Sequence, residues 1–134
     1  MSQQNLDAVR SMHEAFDRGD IPGLLELLTE DATWEVPDTL PWGGRYSGHE
    51  EIGGFFAQLS DHFDELVVTS DELLDAGDAV VDVGHFTGKA KNGGEIDPIA
   101  FCFVWRMKDG KATSFREYVD TVLYLRAVEG AVTA

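Results

Sequence analysis

The chain has 134 residues, 43% of them hydrophobic, enough for one domain that buries roughly two-thirds of its unfolded surface. Ten Lys and Arg against 25 Asp and Glu leave a net charge of −15, which repels phosphate-bearing nucleic acid and anionic lipid, so neither is an expected partner. No apolar run approaches the roughly 20 residues of a bilayer span, the start MSQQNLDAVR lacks signal-peptide character, and a lone Cys102 provides neither an intrachain disulfide nor a cysteine pair for a metal; a cytoplasmic protein is expected.

In chain order, Leu6, Val9, Met12 or His13, and Phe16 recur at helical spacing and stop at Gly19, a suitable C-cap. Asp20 offers an N-cap and Pro22 sits in the first turn of a short helix carrying Leu24, Leu27 and Leu28. Ala32 to Val36 reads as a short strand, followed by the loop PDTLPWGGRYSG with Trp42 and Tyr46. Ser47 and Glu50 have capping-box spacing and open a third helix with the stripe Ile52, Phe55, Phe56, Leu59 and Phe63.

After Asp64 the period changes to two. Leu66–Leu74, Ala79–Gly88, Glu95–Met107 and Ala112–Val119 read as strands. Their connections, Ala76-Gly77-Asp78, Asn92-Gly93-Gly94 and Lys108-Asp109-Gly110-Lys111, carry turn chemistry and predict an antiparallel meander. A short helix from about Thr121 to Val128 closes the chain. The expected fold is a single α+β domain over residues 1–134, a cone-shaped half-barrel with three N-terminal helices on a strongly bent, mainly antiparallel sheet.

Strand parity identifies the inside. Ile99, Phe101, Phe103, Trp105 and Met107 share one face; Ala100, Cys102, Val104 and Arg106 share the other. The aromatic face belongs against the helices, either as packed core or, with Trp34, Phe55 and Phe56 opposite, as the wall of an apolar pocket. On the last strand Glu117 shares its face with Phe115 and Val119. A carboxyl on an apolar face is costly to ionise, which suits a general acid or base. The alternative is a solvated rim position, or pairing with Arg116 or Arg106. Asp120, where the strand ends, reads as an N-cap or as a second carboxylate at the cavity mouth. Asp82 and His85 lie on opposite faces of their strand, so at most one faces the pocket. Among the histidines His13 is the cavity candidate, and His49 and His62 read as surface residues. The sequence has no G-x-S-x-G elbow, phosphate-binding glycine loop, H-E-x-x-H or dinucleotide fingerprint.

Three segments, FDRGDIPGLLELLTEDATWEVP, YSGHEEIGGFF and DGKATSFREYVDT, together resemble the SnoaL-like family of the ketosteroid isomerase and nuclear transport factor 2-like superfamily. The resemblance implies the cone fold, a homodimer through the outer face of the sheet, and chemistry needing no metal or cofactor. Aligned on these segments, the ketosteroid isomerase base falls at Val36, its tyrosine near Met12 and its second aspartate near Phe103, all apolar here. The Asp-Arg-Asp set of limonene epoxide hydrolases falls near Glu117, Gly84 and Phe86 and is also incomplete. The acidic residue that SnoaL-like polyketide cyclases carry on the last strand is matched by Glu117 or Asp120. The expected function is therefore proton transfer by Glu117 or Asp120 on a small apolar carbonyl compound, in a cyclase, isomerase or hydrolase type of reaction. The expected substrate contacts are Met12, His13, Phe16, Trp34, Val36, Trp42, Phe55, Phe56, Phe86, Phe101, Phe103, Trp105, Phe115 and Val119. Two rival readings are a non-catalytic binder of a small apolar molecule and a dimerisation module with a filled core.

Overall fold

Each predicted periodicity becomes an element. The computed structural model describes residues 2–129. These form α1 (Ser2–Asp17), α2 (Ile21–Leu25), β1 (Leu28–Val36), β2 (Gly44–Ser47), α3 (Gly48–Ser60), β3 (Phe63–Asp75), β4 (Ala79–Ala90), β5 (Glu95–Lys108), β6 (Lys111–Val119) and α4 (Thr121–Glu129). α1 buries Val9, Met12 and Ala15. It ends where the Gly19 N–H donates to Phe16 O and the Asp20 N–H to Ala15 O at 2.8 Å. Gly19 sits there at a φ of 75°, the left-handed conformation that glycine adopts without a Cβ penalty. Asp20 then caps α2, its Oδ1 accepting from the Gly23 N–H at 2.9 Å.

Several boundaries differ from the sequence expectation. α2 stops at Leu25, and Leu28 opens β1 by pairing with Ala112. Phe63 continues the α3 stripe in spacing but opens β3 opposite Ala90, because a strand can point the same side chain into the same core. The proline- and glycine-rich loop contains β2, which pairs with β1 through Trp34 and Tyr46. The capping box is only half made and is displaced. The Ser47 side chain forms no cap bond. Glu51, rather than Glu50, accepts from the Ser47 N–H at 2.8 Å.

The six strands form one curled, unclosed sheet in the order β2-β1-β6-β5-β4-β3. β3 to β6 make the antiparallel meander that the short turns require. β1 runs parallel to β6, with α3 and the first three meander strands intervening along the chain. Ile99, Phe101, Phe103, Trp105 and Met107 are all buried on the inner face, while Ala100 and Arg106 on the outer face are exposed. The register shifts between Ser70 and Glu72 and between Phe86 and Gly88, and such irregularities bend a strand.

At Gly84 the β3 backbone comes so close that an added Cβ would lie 2.0 Å from Thr69 O and 2.7 Å from the Phe101 ring. Glycine in a strand interior commonly marks such a close approach. Gly84→Ala is therefore expected to destabilise the fold by roughly 1–3 kcal/mol, the range of overpacking substitutions, read as a lower urea midpoint. An unchanged midpoint would show that the strands close without this contact.

Candidate functional site

The helices meet the curled sheet around a small apolar cavity of about 60 Å³. That is room for a few water molecules and well below the roughly 300–1,000 Å³ of a typical ligand pocket. α1 contributes Met12, His13 and Phe16; α3 contributes Phe55 and Phe56; Trp34 comes from β1 and Trp42 from the loop before β2. The far wall is Phe86 of β4, Phe103 and Trp105 of β5, and Phe115 and Glu117 of β6. Trp34 stacks on Phe115 at 3.9 Å between ring centroids. It meets Phe55, Phe56 and Trp105 at tilted or edge-on angles, the arrangements that aromatic quadrupoles favour.

Other expected contacts lie elsewhere. Phe101 is buried but off the wall, stacked on Phe103 at 3.8 Å. Val36 is buried beside a surface pocket, and Val119 is half-buried; neither lines the cavity. Asp120 is exposed and caps α4, its Oδ1 accepting from the Leu123 N–H at 3.1 Å. A cap at the strand's outer end keeps this carboxylate in water, away from the cavity. Leu24, Leu59, Leu66, Val68 and Tyr124 complete the lining. Leu66 and Val68 follow from strand parity. Tyr124 is invisible locally, because α4 folds over the sheet only through contacts such as Trp42 and Phe86, both within 5.1 Å of its ring centroid.

Phe16, Phe56, Leu59 and Leu66 also line a surface groove of about 450 Å³. These four residues form a wall common to the cavity and the groove, with the Phe16 and Phe56 centroids 6.0 Å apart.

Glu117 is 8% exposed, and its Oε2 has no hydrogen-bond partner. Arg116 lies over the exposed Tyr118 ring at 5.4 Å, and Arg106 reaches toward Asp78, so neither arginine neutralises it. Burial pushes the Glu117 carboxyl up to about 8, because desolvation disfavours the charged form. The Tyr124 phenol is raised well above its ordinary value by burial and, secondarily, by the charge of Glu117. A second buried polar atom on the wall, Trp34 Nε1, also lacks a partner. Two residues of the cavity lining, Trp34 and Glu117, thus each carry a buried polar atom without a hydrogen-bond partner.

His13 is partly buried and bonded to Asp82, which is wholly buried. His85 faces outward and pairs with Asp71 at 2.8 Å. His49 bonds the Leu28 and Thr29 carbonyl oxygens, each at 3.1 Å, and His62 packs 5.1 Å from Trp42; both are tied into the fold more closely than a surface reading implies.

The family model of the SnoaL-like domain matches residues 9–115. A nuclear transport factor 2-like protein of unknown function from Burkholderia pseudomallei is 33% identical over 93% of this chain and 97% of its own, with a TM-score of 0.88. TerC, crystallised with polyporic acid, is 28% identical over 94% and 98%, also with a TM-score of 0.88. A protein with a ketosteroid isomerase-like fold from Catenulispora acidiphila, in complex with trimethylamine, covers 91% of this chain and 92% of its own at 22% identity and a TM-score of 0.78, a likeness of fold. None of the curated proteins matches the chain.

Glu117 links the site to stability. Its carboxyl ionises near 4.5 when unfolded and near 8 when folded. The unfolded chain therefore releases the proton first, and stability falls between those pH values before levelling off above about 8. Glu117→Gln is expected to match the wild type at the acid end of that range and to gain an increasing advantage up to pH 9. The gain is on the order of 3–5 kcal/mol, at about 1.4 kcal/mol for each pK unit. Urea unfolding at pH 5, 7 and 9 measures this, and a pH-independent difference would place Glu117 in water.

Proposed function

The chain belongs to the SnoaL-like family, and on that footing we propose that it is a cofactor-independent enzyme transferring a proton on a small, largely apolar carbonyl compound, with Glu117 as the proton-carrying carboxyl. The carrying observation is a buried, unpartnered carboxyl on an apolar cavity wall, held mostly neutral below about pH 8. In that form Glu117 is a general acid: its O–H points at the carbonyl oxygen and gives up its proton as negative charge develops there. The Trp34 N–H, unpartnered on the same wall, supplies a second donor to the same oxygen. The rings of Trp34, Phe103 and Phe115 hold the apolar body of the compound.

The small cavity sets a condition on binding. A substrate of one or two rings exceeds about 60 Å³, so it is admitted by rotation of Phe16 and Phe56, which joins the cavity to the groove of about 450 Å³ beyond them. TerC, matched along nearly its whole length, was crystallised with polyporic acid, which supports an aromatic, oxygenated ligand class for this chain.

A second copy of the chain is the proposed partner on the outer face of the sheet. Val81, Val83, Cys102 and Val104 are half-buried there, beside an exposed Tyr118, an apolar strip suited to an isologous contact. Light scattering of the wild type should give twice the chain mass, and Val83→Glu with Val104→Glu should give the monomer. A monomeric wild type would refute the pairing.

Proton transfer itself is tested with 2-tetralone in deuterated buffer at pH 7. The wild type is expected to replace the α-protons with deuterium faster than buffer alone, followed by proton NMR. Glu117→Gln should slow this by about 10²–10⁴-fold, the usual contribution of a general acid or base. Saturable binding of the ketone with no exchange would make the protein a binder rather than an enzyme.

A further inference from the structure

The cavity has a second polar feature that the family comparison does not supply. Asp82 of β4 is 0% exposed, in a chain whose net charge is −15. Its carboxylate receives three hydrogen bonds: from Ser70 Oγ at 2.7 Å, from Trp105 Nε1 at 3.1 Å and from His13 Nε2 at 2.5 Å. A carboxylate only accepts, so Nε2 of His13 carries a proton toward it, and in the neutral imidazole that tautomer has Nδ1 as its free acceptor. His13 and Trp105 line the cavity, and Asp82 stands behind them. Burying a carboxylate is expensive, and an apolar residue of similar volume commonly serves stability as well or better. The network joins α1 to the sheet and orients the ring of a histidine on the cavity wall.

We propose that His13, oriented by Asp82, is the base that takes the proton from carbon, so that the cavity carries a base on α1 and an acid on β6. This deepens the reading of the cavity as a proton-transfer site and rests on it. The substrate class narrows to carbonyl compounds with an enolisable carbon. The C–H bond next to the carbonyl breaks and its proton moves to His13 Nδ1. The electron pair forms the C=C bond, the carbonyl π pair moves to oxygen, and oxygen takes the proton of Glu117. Enol, imidazolium and carboxylate result, with no net change of charge. Reversal from a deuterated His13 returns deuterium to carbon. Asp82 is a positioning residue: it touches His13 rather than the ligand, and its charge stabilises the imidazolium that forms.

The test uses the full chain, 2-tetralone exchange and long-range proton–nitrogen NMR of the imidazoles. In the wild type the His13 resonances should report protonated Nε2 and bare Nδ1. His13→Gln keeps a donor toward Asp82 but cannot take a proton; its exchange rate should fall at least about 10²-fold with KM little changed. Asp82→Asn should lower kcat at least about tenfold, since an amide no longer fixes the tautomer or stabilises the imidazolium. Millimolar imidazole should restore exchange to His13→Ala, which a purely structural histidine would not allow. Protonated Nδ1 in the wild type, or exchange in His13→Gln at the wild-type rate, overturns the proposal. If His13→Gln exchanges normally while Glu117→Gln does not, the base assignment fails and the carboxyl reading stands. If Glu117→Gln exchanges normally while His13→Gln is inactive, the reverse holds. A wild type that binds the ketone without exchange sinks both.

Discussion

The stack of Trp34 on Phe115, 3.9 Å between centroids, joins the parallel pair β1 and β6 on the inner face of the sheet. Much of the molecule is arranged around it. β1 arrives from the helical layer and β6 from the end of the meander, so this contact is where the two halves of the chain meet. Aromatic stacking adds about 0.5–1.5 kcal/mol beyond the area buried. Its larger consequence is geometric: with Phe115 held inward, strand alternation directs Glu117, two residues on, into the same apolar space.

Glu117 is then a carboxyl that the fold hides without compensating. Arg116 and Arg106 lie on the outer face or at the sheet's end, engaged with Tyr118 and Asp78. The protein tolerates the carboxyl by leaving it protonated, at a cost to stability that grows with pH. Asp82 represents the opposite solution: equally hidden, it is surrounded by three donors. Two buried carboxyls thus stand near one small cavity, one with an unpartnered oxygen and one held by three donors.

The aromatic packing also explains why the cavity is small. Rings from α1, α3 and the strands interdigitate closely. The loop carrying Trp42 closes the end near α4, where Tyr46 Oη donates to the Trp42 carbonyl oxygen at 2.7 Å. The remaining side is the wall of Phe16, Phe56, Leu59 and Leu66 that the cavity shares with the surface groove.

Local periodicity was enough to decide much of this. Alternation along β5 and β6 separated Phe103 and Trp105 from Cys102 and Val104, and placed Glu117 with Phe115, because a strand side chain can point only to one face or the other. Turn residues gave the meander, and the helical stripe at Phe55, Phe56 and Leu59 gave the covering layer. Periodicity could not find β2, whose four residues are too short to show a pattern. Nor could it show that Phe101 packs behind Phe103, or that Asp120 stays in solvent. It ruled that at most one of Asp82 and His85 points inward without saying which, since parity fixes relative faces and not absolute ones along a bulged strand. The bond between His13 and Asp82 spans 69 positions in the chain, and the elevated Glu117 carboxyl reflects burial among residues of several elements. Both are sums over distant segments, and only the tertiary structure brings those segments together.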